Sequence, residues 1–155
     1  MKIEAVLFDM DGLMVDTESL STKALISSAK KQDYEMTKEE TLQVLGFTEA
    51  AIYKFWEDYF EDSHVYGKKL ADDHYDYIEE VLFTTGPDKM PNVEELLVYL
   101  KENNYKVAVA SSSNIDHIEN NMEKTGLRKY IDKIASGQEV SNGKPAPDVF
   151  LLAAE

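Results

Sequence analysis

Cysteine is absent from the 155 residues, which excludes disulfides, thiol nucleophiles and zinc–thiolate sites. A chain without cysteine suits a reducing compartment, and a cytoplasmic protein is the expectation. Proline and glycine are scarce, four and seven residues, and no repeat or low-complexity stretch is present. With 43% apolar and 30% charged residues, this is the composition of a soluble globular protein and not of a fibrous or disordered one. Basic residues are outnumbered 16 to 30, for a formal charge of -14. Such a surface repels polyanions, which excludes nucleic-acid or anionic-membrane binding as the main role. A phosphorylated substrate would need local help from a metal ion and one or two well-placed cations. Long apolar runs are also missing. The run Ala5 to Phe8 is too short for a signal peptide and ends in Asp9, and nothing approaches the ~20 residues of a membrane span.

What is present reads as alternating strands and helices around a helical insertion. Ile3 to Phe8 is β-branched and aromatic-rich, the pattern of a strand buried on both faces. From Thr17 to about Thr84 the text turns helical and charged, with Thr17 or Asp16 as N-cap. Leu45-Gly46-Phe47 breaks one of these helices, and Thr48 is the predicted cap of the next, which carries Ile52, Phe55, Trp56, Tyr59 and Phe60 on its apolar side. Gly86-Pro87 marks the return. A helix over Val93–Glu102, a strand over Lys106–Ala110, a helix from Ile115 to Thr125, a strand over Ile131–Ala135 and a helix from Pro147 complete the pattern. The reading is an α/β fold, a Rossmann-like parallel sheet over residues 1–16 and 87–155 with an inserted α-helical cap over 17–86. Ligands of such sheets gather where the strands end.

Three motifs fall at those strand ends. In Asp9-Met10-Asp11-Gly12 the two carboxylates share one side of an extended backbone while Met10 packs the other way. One acid can attack phosphorus and the other can move protons, and Gly12 lets the chain leave the strand. In Ala110-Ser111-Ser112-Ser113-Asn114 a strand ends in hydroxyls before a helix, where Ser111 and the N–H groups of the helix start can hold an anion. In Gly143-Lys144-Pro145-Ala146-Pro147-Asp148 a stiffened loop offers a lysine to offset negative charge. Alone, each has an ordinary meaning as a turn, a helix cap or a solvated lysine. Their joint occurrence in this order makes coincidence improbable.

The string Phe8-Asp9-Met10-Asp11-Gly12-Leu13-Met14-Val15-Asp16-Thr17-Glu18, with the two later motifs, resembles the haloacid dehalogenase-like hydrolase superfamily, in its branch of β-phosphoglucomutases and small-molecule phosphatases. The resemblance implies Asp9 as nucleophile, Asp11 as general acid/base, Ser111 as a phosphoryl ligand and Lys144 as the organiser of charge. Gly12, Ser112, Ser113 and Asn114 are expected to line the phosphate site. It implies Mg²⁺ held by the Asp9 carboxylate, the Asp11 carbonyl, waters and acidic residues of a later strand. That acidic segment follows the Lys-Pro motif by roughly one helix and one strand in the family, so the expectation here is a chain lacking its C-terminal part. Strand Ala5 to Phe8 is then an uncovered edge, a surface for self-association.

Mutases of the branch carry a histidine in the first cap helix and an arginine after the Leu-Gly turn, where this chain has Ser21 and Glu49. A glutamate repels a phosphate that arginine's fork would grip, which favours a phosphatase of a small phosphorylated metabolite over a mutase. An inactive or binding-only piece is the non-enzymatic alternative. His64, His74 and His117 lack ligand spacing and are expected to be exposed or partly packed.

Overall fold

The chain runs β1 (Ala5–Phe8), α1 (Thr17–Lys30), α2 (Lys38–Thr41), α3 (Glu49–Tyr59), α4 (Gly67–Thr84), α5 (Val93–Glu102), β2 (Lys106–Ser111), α6 (Ile115–Lys124), β3 (Lys133–Ser136) and α7 (Asp148–Ala154). These elements come from a computed structural model that describes residues 3–47 and 49–155. The expected cap residue Thr48 lies outside the described residues. One unit is built from the residues up to Thr17 together with Leu82–Glu155, and a second from Glu18–Val81.

In the first unit the strands form a parallel sheet in the order β1-β2-β3. β2 pairs with β1 through Val6↔Val107 and Phe8↔Val109, and with β3 through Ala110↔Ala135 and Ser111↔Ser136. Alternation along β2 then sorts the core into two unlike layers. Val107 and Val109 join Phe8, Met10, Leu97, Ile118, Met122 and Leu127, a layer of large side chains supplied largely by α5 and α6. Ala108 and Ala110 face the other way, onto Ala135, Val149 and Ala153, so that α7 packs on a layer made mostly of methyl groups. β1 departs from the expectation of a strand buried on both faces. Ala5 is exposed and Val6 and Leu7 are half-buried, because β1 ends the sheet and has β2 as its one pairing partner. β3 begins at Lys133, two residues later than expected, after a 3₁₀ turn over Arg128–Tyr130. Among the described residues no helix is long and apolar enough to cross a membrane.

The second unit is helical and has its own core of Leu25, Ala29, Met36, Val44, Ile52, Trp56, Phe60, Val65, Leu70 and Ala71. Of the predicted aromatic stripe, Ile52, Trp56 and Phe60 are buried, Phe55 is half-buried and Tyr59 lies at the surface. Tyr59 is held there by Glu40, which accepts from Tyr34 Oη at 2.5 Å, Tyr59 Oη at 2.9 Å and Thr37 N at 2.7 Å. The Thr37 hydroxyl in turn caps Glu40 N, closing a capping box on α2. Hydrogen bonds from Tyr34 and the Thr37 backbone push the Glu40 carboxyl down to about 2. His74 corrects the expectation of an exposed or partly packed ring. It is 1% exposed, its Nε2 shares a hydrogen bond with Ser21 Oγ at 2.9 Å, and its Nδ1 is buried without a partner. Burial pushes the ring down to about 4, so it is neutral at pH 7.

Both groups have folded pKa values below their ordinary ones, so both contributions are complete above the ordinary value and vanish as pH falls through the folded one. The helical unit should therefore lose stability in acid in two stages, from pH 6.5 to about 4 through His74 and from 4.5 to about 2 through Glu40. Urea unfolding followed by the fluorescence of Trp56, the sole tryptophan, tests this. Glu40→Gln should cost about 1–2 kcal/mol at pH 7 and flatten the lower stage. His74→Gln should flatten the upper one, and unchanged slopes in both variants would refute the assignment.

Candidate functional site

Because β1 and β2 run parallel and in register, their carboxyl ends bring Asp9 and Asp11 beside Ser111. The chain leaves β1 through a tight turn in which the Met10 carbonyl accepts from Met14 N at 2.8 Å and Val15 N at 3.2 Å. Gly12 stands in this turn at φ +71°, the left-handed region that a Cβ disfavours. Its N–H donates to the Val15 carbonyl at 2.9 Å, so Gly12 shapes the turn and its own amide is engaged there. Met10 is buried below, its sulfur 3.9 Å from Asn121 Nδ2, which leaves the acids on either side of it facing outward.

Asp9 Oδ1 accepts from its neighbour Met10 N at 2.9 Å and from Lys144 Nζ at 2.6 Å. Lys144 also donates to the Ala110 carbonyl at 3.0 Å, and its ammonium lies 4.8 Å above the centre of the Phe150 ring. The loop that delivers it is closed by Asn142 Nδ2 donating to Asp148 Oδ2 at 2.8 Å and by Ala146 N donating to the Gly143 carbonyl at 3.0 Å. Lys144 is 24% exposed and Asp9 44%. The pair is thus reachable by a ligand, and Asp9 Oδ2 carries none of these hydrogen bonds.

Asp11 sits among hydroxyls. Thr17 Oγ1 donates to its Oδ1 at 3.1 Å, and Ser111 Oγ and Ser113 Oγ each donate to its Oδ2 at 3.3 Å. Ser113 N donates to Ser111 Oγ at 3.1 Å, folding the serine loop on itself. Ser112 is exposed beside them. Asn114 takes the ordinary role its type suggests at that place. It caps α6, accepting from His117 N at 2.8 Å. The structure thus gathers Asp9, Asp11, Ser111, Ser113 and Lys144 and uses Gly12 and Asn114 to shape the turns between them.

Three residues of this neighbourhood went unassigned in the sequence. Thr17 is read in the sequence only as a helix cap, and neither Phe150 nor Ser136 is given any role there. Ser136 ends β3 in register with Ser111, and a hydroxyl at the carboxyl end of a parallel strand was the one signal that pointed to it.

Among the described residues no three His, Cys, Asp or Glu side chains gather to hold a metal. The donors that are present are hard oxygens, the Asp9 carboxylate and the Asp11 carbonyl. Magnesium keeps several waters and commonly takes one or two carboxylates plus substrate phosphate, so this set fits it in kind. The named charges also ask for it, since the one ammonium beside Asp9 cannot offset both that carboxylate and an approaching phosphate.

Fold and site together define a parallel α/β protein that gathers two acids and a lysine at the carboxyl edge of its sheet. The chain belongs to the haloacid dehalogenase-like hydrolases, whose family model matches residues 6–155. It is 30% identical over 155 residues to the phosphorylated carbohydrates phosphatase of Thermotoga maritima, covering 99% of this chain and 70% of that protein. It is 32% identical over 162 residues to a Drosophila melanogaster protein named a probable pseudouridine-5'-phosphatase, covering 99% and 67%. A crystal structure from Thermotoga maritima, assigned as a β-phosphoglucomutase, superposes with a TM-score of 0.80 at 28% identity over 97% of this chain and 69% of that one.

Gly12→Ala should destabilise the first unit by about 1–2 kcal/mol, because alanine resists φ +71°. Chemical denaturation followed by circular dichroism measures it, and a neutral substitution would mean that the turn is not held in this conformation.

Proposed function

We propose that this chain is a cytoplasmic, magnesium-dependent phosphatase that hydrolyses a small phosphate monoester through an aspartyl-phosphate on Asp9. The observation that carries the reading is the Asp9–Lys144 contact at 2.6 Å beside an Asp11 held by three hydroxyls. The phosphatases among its relatives support the same reaction class.

The phosphoryl group lies against Lys144 and the loop Ser111-Ser112-Ser113, of which Ser112 is exposed. Lys144 offsets the charge of nucleophile and phosphate, which would otherwise repel each other. Asp9 Oδ2 attacks phosphorus as the bond to the leaving oxygen breaks, and Asp11 gives that oxygen its proton. Product alcohol departs, and Asp11, now a carboxylate, takes a proton from water. The resulting hydroxide attacks phosphorus, the Asp9–phosphorus bond breaks, and inorganic phosphate leaves both aspartates as they began. Mg²⁺, held by the Asp9 carboxylate and the Asp11 carbonyl, supplies Lewis-acid neutralisation of phosphoryl charge.

Likeness to a β-phosphoglucomutase favours a second reading, phosphoryl transfer between hydroxyls of one sugar. Ser21 and Glu49 argue against it. The first is engaged with His74 and the second opens α3 as an exposed acid, so neither offers the cation that would grip a second phosphate.

Phosphate release from p-nitrophenyl phosphate, with and without Mg²⁺, is the test. Asp9→Asn should lower kcat by at least about a hundredfold with the circular dichroism spectrum unchanged, since an amide is a poor nucleophile. Asp11→Asn should prolong the life of the phosphoenzyme, visible by acid quench with a labelled phosphate donor. Near-wild-type turnover by Asp9→Asn would end the proposal, and retention of phosphate on product would transfer it to the mutase reading.

A further inference from the structure

Ser136 is fully buried, yet its hydroxyl is committed in a specific direction. It donates to the Ser113 carbonyl at 2.7 Å and accepts from Gln138 N at 3.1 Å, so both its donor and one acceptor position are used. Ser136 N donates to Glu139 Oε2 at 2.7 Å, which closes a capping box on the 3₁₀ turn Gly137–Glu139. The next residue packs equally close to the serine loop. A Cβ on Gly137 would stand 3.0 Å from Ser112 Cα and 3.2 Å from the Ser112 carbonyl oxygen, so the end of β3 lies flat against Ser112 and Ser113.

The loop it braces is the one that holds Asp11. Ser113 presents its carbonyl to Ser136 and its Oγ to Asp11 Oδ2, and its N–H donates to Ser111 Oγ, which also contacts Asp11. Fixing the Ser113 carbonyl fixes the rotation of its peptide and the position from which both hydroxyls reach the carboxylate. We infer that Ser136 is a positioning residue for the acid/base Asp11, acting through Ser113 from the end of β3. The inference rests on the phosphatase reading for the role of Asp11 and adds a residue that reaches no reacting atom itself.

A misplaced acid should matter in proportion to how much the leaving group needs a proton. An alkoxide needs one, whereas p-nitrophenolate departs as a stable anion. For kcat/KM, which reports the steps up to formation of the phosphoenzyme, Ser136→Ala should lose about tenfold with glycerol 2-phosphate and less than about threefold with p-nitrophenyl phosphate, both in the presence of Mg²⁺. A side chain that merely stabilises the fold would lower both by the same factor. Ser136→Cys keeps the volume while weakening the donor, and should show the same ester-selective loss even where the alanine variant folds poorly. The Ser113→Ala and Ser136→Ala losses should be non-additive in the double variant, because they interrupt one path. Equal losses on the two esters, or additive losses in the double variant, with wild type active on both, overturn this inference alone. A wild type that hydrolyses neither ester overturns the phosphatase reading and this inference with it.

Discussion

The ammonium of Lys144 ties together segments that lie far apart in sequence. It donates to a carboxylate 135 residues earlier and to the carbonyl that precedes Ser111, so the ends of β1 and β2 share one cation with the loop before α7. Each of those ends would otherwise present uncompensated negative charge or an unpaired carbonyl to its neighbours. The aromatic face of Phe150 beneath the ammonium adds a third attraction and comes from the helix that the loop leads into. Loop, helix and two strands are thus positioned by the same group that the proposed chemistry needs.

Around that cation the two aspartates have been given different surroundings on the same two-residue spacing. Asp9 meets a full positive charge and a backbone N–H, whereas Asp11 meets three neutral hydroxyls from two segments. Hydroxyls can turn to donate or to accept, which suits a group that must hold a proton at one stage and release it at the next. The division of labour proposed for the two acids rests on this difference in what each one touches.

Much of this was legible in the chain itself. The parallel α/β architecture followed from apolar runs alternating with helical periods, and the helix expected over Val93–Glu102 has those bounds in α5. Asp9, Asp11, Ser111 and Lys144 could be read because each sits where an apolar strand stops or a proline-stiffened loop begins. His74 could not. Its surroundings in sequence are polar, and its burial depends on Ser21, fifty-three residues away, which no local pattern encodes. The apolar run of β1 alone reads as a doubly buried strand, whereas its place at the edge of the sheet was expected from the resemblance and agrees with the strand order β1-β2-β3. Ser136 and Thr17 belong to a residue type that caps turns far more often than it braces a site, and only the register of β3 on β2 and the turn at Gly12 reveal what their hydroxyls touch.

The alanine layer beneath α7 has a bearing on how such a site is tuned over evolutionary time. Ala108, Ala110 and Ala135 form a floor of single methyl groups on which α7 rests through its own Val149 and Ala153, and the loop that carries Lys144 leads directly into that helix. One added methyl group in this floor would press on α7, the helix that follows the loop of Lys144. The opposite layer includes Met10, Met14 and Met122, whose unbranched side chains can adapt to such changes by repacking. One face of this sheet thus behaves as a stiff lever on the chemistry and the other as a cushion, so two mutations of equal size on opposite faces would have unequal fates under selection.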